Sequence, residues 1–311
     1  MVNLFLSYFL HFISFSNHVM LREMTKERKN VQMSIVKNGT LQVLGASIYY
    51  EVRGSGPILL LIHGGGGDAD KFHNIADHLA KWYTVVTYDR RGHSRSNLVN
   101  KTEDYHVHTH SEDAHRLLAN LTNEPAYVFG SSSGAVIGLD LCIRHPEQVQ
   151  LLIPHEPVLL QLLPENELKQ AINFMEDLKG NHQSEVMKLL SNIDDSNSGP
   201  SKDMLTERLL GNSIYFTEYE IPGILSYTLN IDALKPPLKP ALIQVRPAGG
   251  SISRESFPYH CAFNLAEHLG TEFTEFPGHH VGYNTVHHKE FAERLHDILE
   301  NLSGNVSIGS V

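Results

Sequence analysis

Ala126-Tyr127-Val128-Phe129-Gly130-Ser131-Ser132-Ser133-Gly134-Ala135-Val136-Ile137 is the stretch on which the reading of this chain turns. Ala126–Phe129 is a short apolar run that reads as a strand, and Ala135–Ile143 is an apolar stretch that reads as a helix. The reversal between them is short. A turn this tight strains its central residue, so the residues two positions to either side must be small. Gly130 and Gly134 meet that condition for Ser132, although the adjacent Ser131 and Ser133 leave the register open. A Gly-x-Ser-x-Gly match alone also arises as a plain turn. The strand–turn–helix setting is what makes Ser132 a candidate nucleophile, with the following helix amino-terminus supplying partial positive charge beside it.

Working outward, strands alternate with helices. Ser47–Arg53, Pro57–Ile62, Thr84–Tyr88, Gln150–Ile153, Ala241–Val245 and Glu272–Phe276 read as strands. Asp70–Lys81, Ser111–Leu121, Ser133–His145, Pro258–Leu269 and Lys289–Leu302 read as helices. This alternation predicts an α/β fold with a mainly parallel sheet flanked by helices. Residues 158–236 break the rhythm: they are polar and largely helical, with a loop at Asp195–Ser201, and Pro236-Pro237 ends them. They are expected to form a helical lid inserted into a core made of residues 34–157 and 237–302. The run Leu159, Leu160, Leu162, Leu163 suggests an apolar pocket beneath it.

Three further segments join the serine turn to a known family. Ile58–Ile62 runs into His63-Gly64-Gly65-Gly66-Gly67, and Tyr88-Asp89-Arg90-Arg91-Gly92-His93-Ser94-Arg95-Ser96 follows the next strand. Phe276-Pro277-Gly278-His279-His280-Val281-Gly282 lies near the carboxyl end. Over residues 40–300 the chain resembles the α/β-hydrolase fold superfamily, with Arg95 where a second glycine is usual. The resemblance implies an oxyanion hole made by the N–H groups of Gly65 and Ser133, which would stabilise the charge that develops on attack at a carbonyl. A phosphate cradle is the other use of such a glycine run, but no Gly-Lys-Ser/Thr ending follows it. The Asp89–Ser96 loop is expected to be structural support, with Arg90 or Arg91 bridging loops.

The base for a serine nucleophile should be a histidine, which can take and return a proton near neutral pH. His279 and His280 compete, and the family spacing Pro-Gly-x-His-x-Gly selects His280. The acid departs from the usual pattern. After Ala241–Val245, where relatives carry it, the chain reads Arg246-Pro247-Ala248-Gly249-Gly250-Ser251 with no carboxylate, and Glu255 is the nearest alternative. Some haloalkane dehalogenase-like members place the acid after the sixth strand instead, and here that position holds Glu156, in Ile153-Pro154-His155-Glu156-Pro157. A carboxylate at the end of a buried parallel strand is costly without a partner, which favours a functional role. The expected set is Ser132, His280 and Glu156, acting on a small-molecule ester, lactone or related acyl substrate. The dehalogenase reaction does not carry over, because that subgroup uses Asp where this chain has Ser132. A non-catalytic or weakly catalytic ligand-binding protein on the same fold is the alternative, compatible with the displaced acid.

Composition narrows the partners. Of 311 residues, 25 are basic and 35 acidic, a formal charge of -10, which argues against a nucleic-acid partner. No cofactor and no metal is expected. The clusters His106/His108/His110 and His287/His288 read as solvated loop or helix-start residues rather than ligands. Cys142 and Cys261 lie in apolar helical stretches and read as buried free thiols, consistent with a reducing, cytoplasmic location. Residues 1–33 form an apolar-then-basic extension with no cleavage site, expected to be disordered and without stable membrane insertion; residues 303–311 are expected to be a disordered tail.

Overall fold

The computed structural model describes residues 35–100, 103–178, 202–235 and 244–304. The expected extension 1–33, the loop Asp195–Ser201, the Pro236-Pro237 boundary and strand residues 241–243 lie outside these. Ten strands form one sheet: β1 (Lys37–Val43), β2 (Ala46–Gly54), β3 (Ile58–Ile62), β4 (Thr84–Tyr88), β5 (Asn97–Leu98), β6 (Ala126–Ser131), β7 (Val149–His155), β8 (Gln244–Val245), β9 (Ala248–Gly250) and β10 (Thr274–Phe276). Their main order is β1-β2-β4-β3-β6-β7-β9-β10, with β5 beside β2 and β8 beside β7. The β1–β2, β2–β4 and β2–β5 pairs are antiparallel; the other pairs are parallel. The short β5 makes the strand before Glu156 the seventh in chain order rather than the sixth.

The helices are α1 (His73–Leu79), α2 (Val107–Leu121), α3 (Ser133–Arg144), α4 (Glu165–Leu178), α5 (Lys202–Tyr215), α6 (Ile221–Ser226), α7 (Phe257–Leu269) and α8 (His288–Gly304). A π-helical turn, Phe216–Glu220, joins α5 to α6. α8 continues through Ser303 to Gly304, residues the sequence assigned to the tail. Asp70–Lys81 is not one helix: a 3-10 turn at Ala69–Phe72, capped by the Asp68 carboxylate, precedes α1.

The wholly apolar strands are explained by two cores. Leu60 and Ile62 of β3 join Val86, Val128 and Leu152 on the face covered by α2, α3 and α7. Leu59 and Leu61 join Val85, Phe129 and Ile153 on the face covered by α1 and α8. Side chains alternate across a strand, so a strand covered on both sides must be apolar at every position. Each such side chain contributes about 2 kcal/mol of burial free energy. Leu159 and Leu163 belong to the first core, with Leu160 and Leu162 packed against it. The leucine run is therefore core packing, corrected from the apolar pocket lining expected of it. The Leu162 carbonyl accepts from Asn264 Nδ2 on α7 at 2.9 Å.

One core position is polar without need. His155 is fully buried among Phe129, Phe276 and Phe291, at ring separations of 5.9, 5.8 and 5.5 Å, and neither ring nitrogen has a hydrogen-bond partner. Burial drives its pKa down to about 4, against an upward pull from the neighbouring Glu156 charge. Between about pH 6.5 and 4 the unfolded chain binds a proton here that the native state does not, so stability falls as pH falls through that window. His155→Phe should fill the aromatic site and reduce this pH dependence by up to about 1.4 kcal/mol per pH unit, as read by urea unfolding at a series of pH values. An unchanged slope would show that His155 is protonated in the fold.

Candidate active site

The site forms at the carboxyl ends of β3, β6, β7 and β10. In the β6–β7 register Ser131 pairs with His155, so Ser132 and Glu156 each lie one residue beyond the last pair, on neighbouring strands. Both backbones then turn sharply: Ser132 has φ 57° and Glu156 has φ 47°. Such values are uncommon outside glycine and cost about 1–3 kcal/mol each. The Ser132 N–H donates to the His155 carbonyl at 3.0 Å, and the Glu156 N–H to the Ala248 carbonyl at 2.8 Å, which fixes both turns to the next strand.

Close backbone packing holds the serine turn. A Cβ on Gly134 would collide with the carbonyl oxygens of Ile62 and His63, and one on Gly130 would stand 2.7 Å from the Ala135 Cα. Gly134 is therefore needed to dock α3 against β3, and Gly130 to let the first turn of α3 close over the end of β6. Gly134→Ala should cost about 3 kcal/mol of stability, measured by chemical denaturation; a loss below about 0.5 kcal/mol would contradict the packing described.

Of the two adjacent histidines, His280 faces a carboxylate. His280 Nδ1 lies 2.6 Å from Glu156 Oε2. The Glu156 side chain is inaccessible to solvent, and its Oε1 accepts from the Gly250 N–H at 2.7 Å and from the Ser253 hydroxyl. Burial would raise the Glu156 pKa, but the hydrogen bond and charge of His280, with His155 and Ser253, outweigh it and hold the pKa below the ordinary carboxylate value. A carboxylate can only accept, so in the neutral form of His280 the proton sits on Nδ1 and the Nε2 lone pair is free. Glu255 is exposed in the turn before α7, and the Nδ1 side of His280 is occupied by Glu156. His279 is half-buried, and burial lowers its pKa. Gly250 and Ser253, the partners of Glu156, carried no sequence signal beyond the gap where a carboxylate was missing.

Gly64 lies against the serine: a Cβ there would be 3.0 Å from Ser132 Cβ and 3.7 Å from its Oγ. The loop is shaped from behind by His63 and Arg90. The Arg90 N–H donates to His63 Nε2 at 3.1 Å, so the His63 proton sits on Nδ1 and donates to the Gly64 carbonyl at 2.8 Å. Burial first, then the Arg90 charge, keeps this histidine neutral, with a pKa well below its ordinary value. Arg90 Nη2 donates to the same carbonyl at 3.0 Å and to both Glu220 oxygens at 2.9 and 3.0 Å. Burial would raise the Glu220 pKa, but Arg90 and then His93 hold it down at about 2. Arg91 pairs with Asp113 and Glu103, and Asp89 accepts from the Ala69 N–H and from Arg95. Both arginines bridge loops, and Arg95, the departure from the family pattern, locks the Asp89 turn.

The helical insertion meets the glycine loop directly. Asn212 of α5 donates to the Gly67 carbonyl at 3.1 Å and accepts from the Ser94 N–H at 2.7 Å. Phe216 presses on Gly65 so tightly that a Cβ there would stand 2.1 Å from its Cε2. Neither Phe216 nor Glu220 stood out in the sequence.

Among the described residues, the cluster with metal-ligating groups is Glu112, His115 and His145. The imidazoles of His115 and His145 stack at 3.6 Å and 11°, so their in-plane lone pairs do not converge. The cluster sits at the far end of α3, roughly 18 Å of helix from Ser132. Of the three clustered histidines, His106 and His108 are at the start of α2, while His110 is buried against Tyr105, contrary to the solvated position expected. Cys142 and Cys261 are buried free thiols. A groove of about 500 Å3 lined by Gly56, Pro57, Leu121 and Tyr127 opens at the amino ends of the strands, away from this site.

Residues 57–180 match the alpha/beta hydrolase fold family. The chain is 71% identical over 265 residues to the uncharacterized hydrolase YraK of Bacillus subtilis (strain 168), covering 85% of this chain and 97% of that protein. A candidate lipase of Acinetobacter baumannii AYE superposes with a TM-score of 0.68 at 20% identity, over 92% of this chain and 97% of the other. A candidate epoxide hydrolase from Pseudomonas aeruginosa superposes at 0.64, also at 20% identity, over 86% and 97%. This chain belongs to the α/β-hydrolase family and is a hydrolase. Among the described residues, no helix is long and apolar enough to cross a membrane.

Proposed function

We propose that the protein hydrolyses an ester, lactone or related acyl compound through a covalent acyl-serine intermediate. The observation that carries this reading is the pairing of a strained serine turn, φ 57° at Ser132, with the buried His280–Glu156 hydrogen bond of 2.6 Å. Ser132 Oγ attacks the carbonyl carbon while His280 Nε2 takes its proton. His280 then returns the proton to the leaving oxygen, and water repeats the sequence on the acyl-serine. Glu156 keeps the imidazole in the Nδ1–H tautomer and stabilises its charged form. The N–H groups of Gly65 and Ser133 receive the oxyanion.

The structural neighbours include both a candidate lipase and a candidate epoxide hydrolase, and the chemistry of Ser132 separates the two reactions. Attack by a hydroxyl on an epoxide carbon would leave an ether, which water does not cleave under these conditions. Attack on an acyl carbon leaves an ester, which it does. The missing carboxylate after Val245, which is compatible with a binding-protein reading, is offset by the position of Glu156.

Ser132→Ala should abolish turnover of a chromogenic short-chain ester and remove labelling by a fluorophosphonate probe. Undiminished turnover would overturn the nucleophile. Glu156→Gln should lower kcat by about 10^4-fold while Glu255→Gln leaves it within about twofold. The reverse pattern would move the acid to Glu255.

A further inference from the structure

The π-helical turn Phe216–Glu220 meets the site at both ends. At one end the Phe216 ring lies on Gly65 and its Cβ faces Gly66. At the other, Glu220 is fully buried and bonded to Arg90, whose Nη2 also holds the Gly64 carbonyl. His93 Nε2 lies 3.4 Å from Glu220, and the Ser133 hydroxyl lies beside the same carboxylate. Tyr215, just before the turn, packs on Gly92 and against the His93 ring at 4.8 Å. A π turn widens the helix to place side chains where regular spacing would not, and such turns recur at functional sites.

Sheet order tells which part of a substrate would meet this ring. Ser132 follows β6; Gly65 follows β3 on one side of it, and His280 follows β10 on the other. The leaving oxygen must lie toward His280, which protonates it. The oxyanion takes the place at the Gly65 and Ser133 N–H groups, so the acyl group is the substituent left to extend past the glycine loop, beside the Phe216 ring that covers Gly65.

We propose that Phe216 is the specificity-determining residue that restricts the protein to short acyl groups, and that the Glu220–Arg90 pair is the device that positions it. The inference rests on the acyl-serine reading above. Phe216 would touch the acyl chain; Glu220 acts through the turn that presents the ring. Removing the ring opens room beside Gly65 for further methylene groups, each of which changes discrimination by about 10-fold or more when it meets or loses a wall.

The test compares p-nitrophenyl esters from acetate to octanoate with wild type, Phe216→Ala, Phe216→Leu, Glu220→Gln and Glu220→Asp, alongside fluorophosphonate labelling and thermal unfolding. Wild type should prefer the short esters. Phe216→Ala should raise kcat/KM for hexanoate relative to acetate by at least about 10-fold, with Phe216→Leu between the two. A series of acetate esters with lengthening alcohols should keep the wild-type profile in both variants. Whichever Glu220 variant folds should shift the acyl preference in the same direction as Phe216→Ala and lower kcat. An unchanged acyl profile in both Phe216 variants, with wild type active and labelled, overturns the assignment of Phe216 alone. A shift in the alcohol series instead places the ring on the leaving-group side and overturns it too. Folded Glu220 variants with the wild-type profile overturn the positioning role. A wild type that neither turns over any ester nor labels at Ser132 overturns the acyl-serine reading, and this inference with it.

Discussion

A serine held at φ 57° between a buried strand and a helix needs something outside the turn to hold it there, because the strain would relax if the helix could retreat. The restraint is the contact of α3 with β3 at Gly134, where any side chain would meet the carbonyls of Ile62 and His63. That contact places the first N–H groups of α3 beside the strand end that continues as the glycine loop. Ser132, helix terminus and loop are thereby located relative to one another by backbone alone. Backbone positions vary less than rotamers do, so an arrangement of donors that must be in place before charge develops is best built this way.

Glu156 is a second use of the same device. It too follows a central strand, has a positive φ, and is tied by its N–H to the neighbouring strand. The result is a pair of turns at the ends of adjacent strands, one carrying Ser132 and the other the carboxylate bonded to His280. Burying a carboxylate completely would ordinarily raise its pKa and neutralise it. Here the Gly250 N–H, the Ser253 hydroxyl and the His280 ring supply the compensation, so β9 and the turn that follows it provide two of the three.

Much of this was legible because it is local or motif-bound. The strand–turn–helix around Ser132 lies within a dozen residues, and its glycines are required by contacts that the turn itself implies. Glu156 was found because a carboxylate stood where a buried strand ended. The parts that escaped are pairings between distant segments. Nothing in Phe216-Thr217-Glu218-Tyr219-Glu220 marks Glu220 rather than Glu218 as the partner of Arg90, since only the fold brings the two together. The leucines at 159–163 misled for the same reason: an apolar run predicts burial, and whether it lines a pocket or fills a core depends on α7, a hundred residues away. β1 and the short strands β5 and β9 were missed because two or three residues carry no periodicity, and β1 is half exposed.

The Arg90–Glu220 pair raises a question of cost. Two charges removed entirely from water are held together no more strongly than a well-packed apolar pair of the same volume would be. Cohesion between the insertion and the core therefore does not explain why a charged pair is used. Direction does. An apolar contact tolerates sliding, whereas a guanidinium that must reach both Glu220 oxygens and the Gly64 carbonyl has very few acceptable placements. The glycine loop has little to hold its own shape, since the absence of side chains that lets it approach a reacting carbonyl also deprives it of packing. A buried ion pair bonded to its backbone restores the lost definition, and makes the geometry of the loop depend on an element that is inserted more than a hundred residues later in the chain.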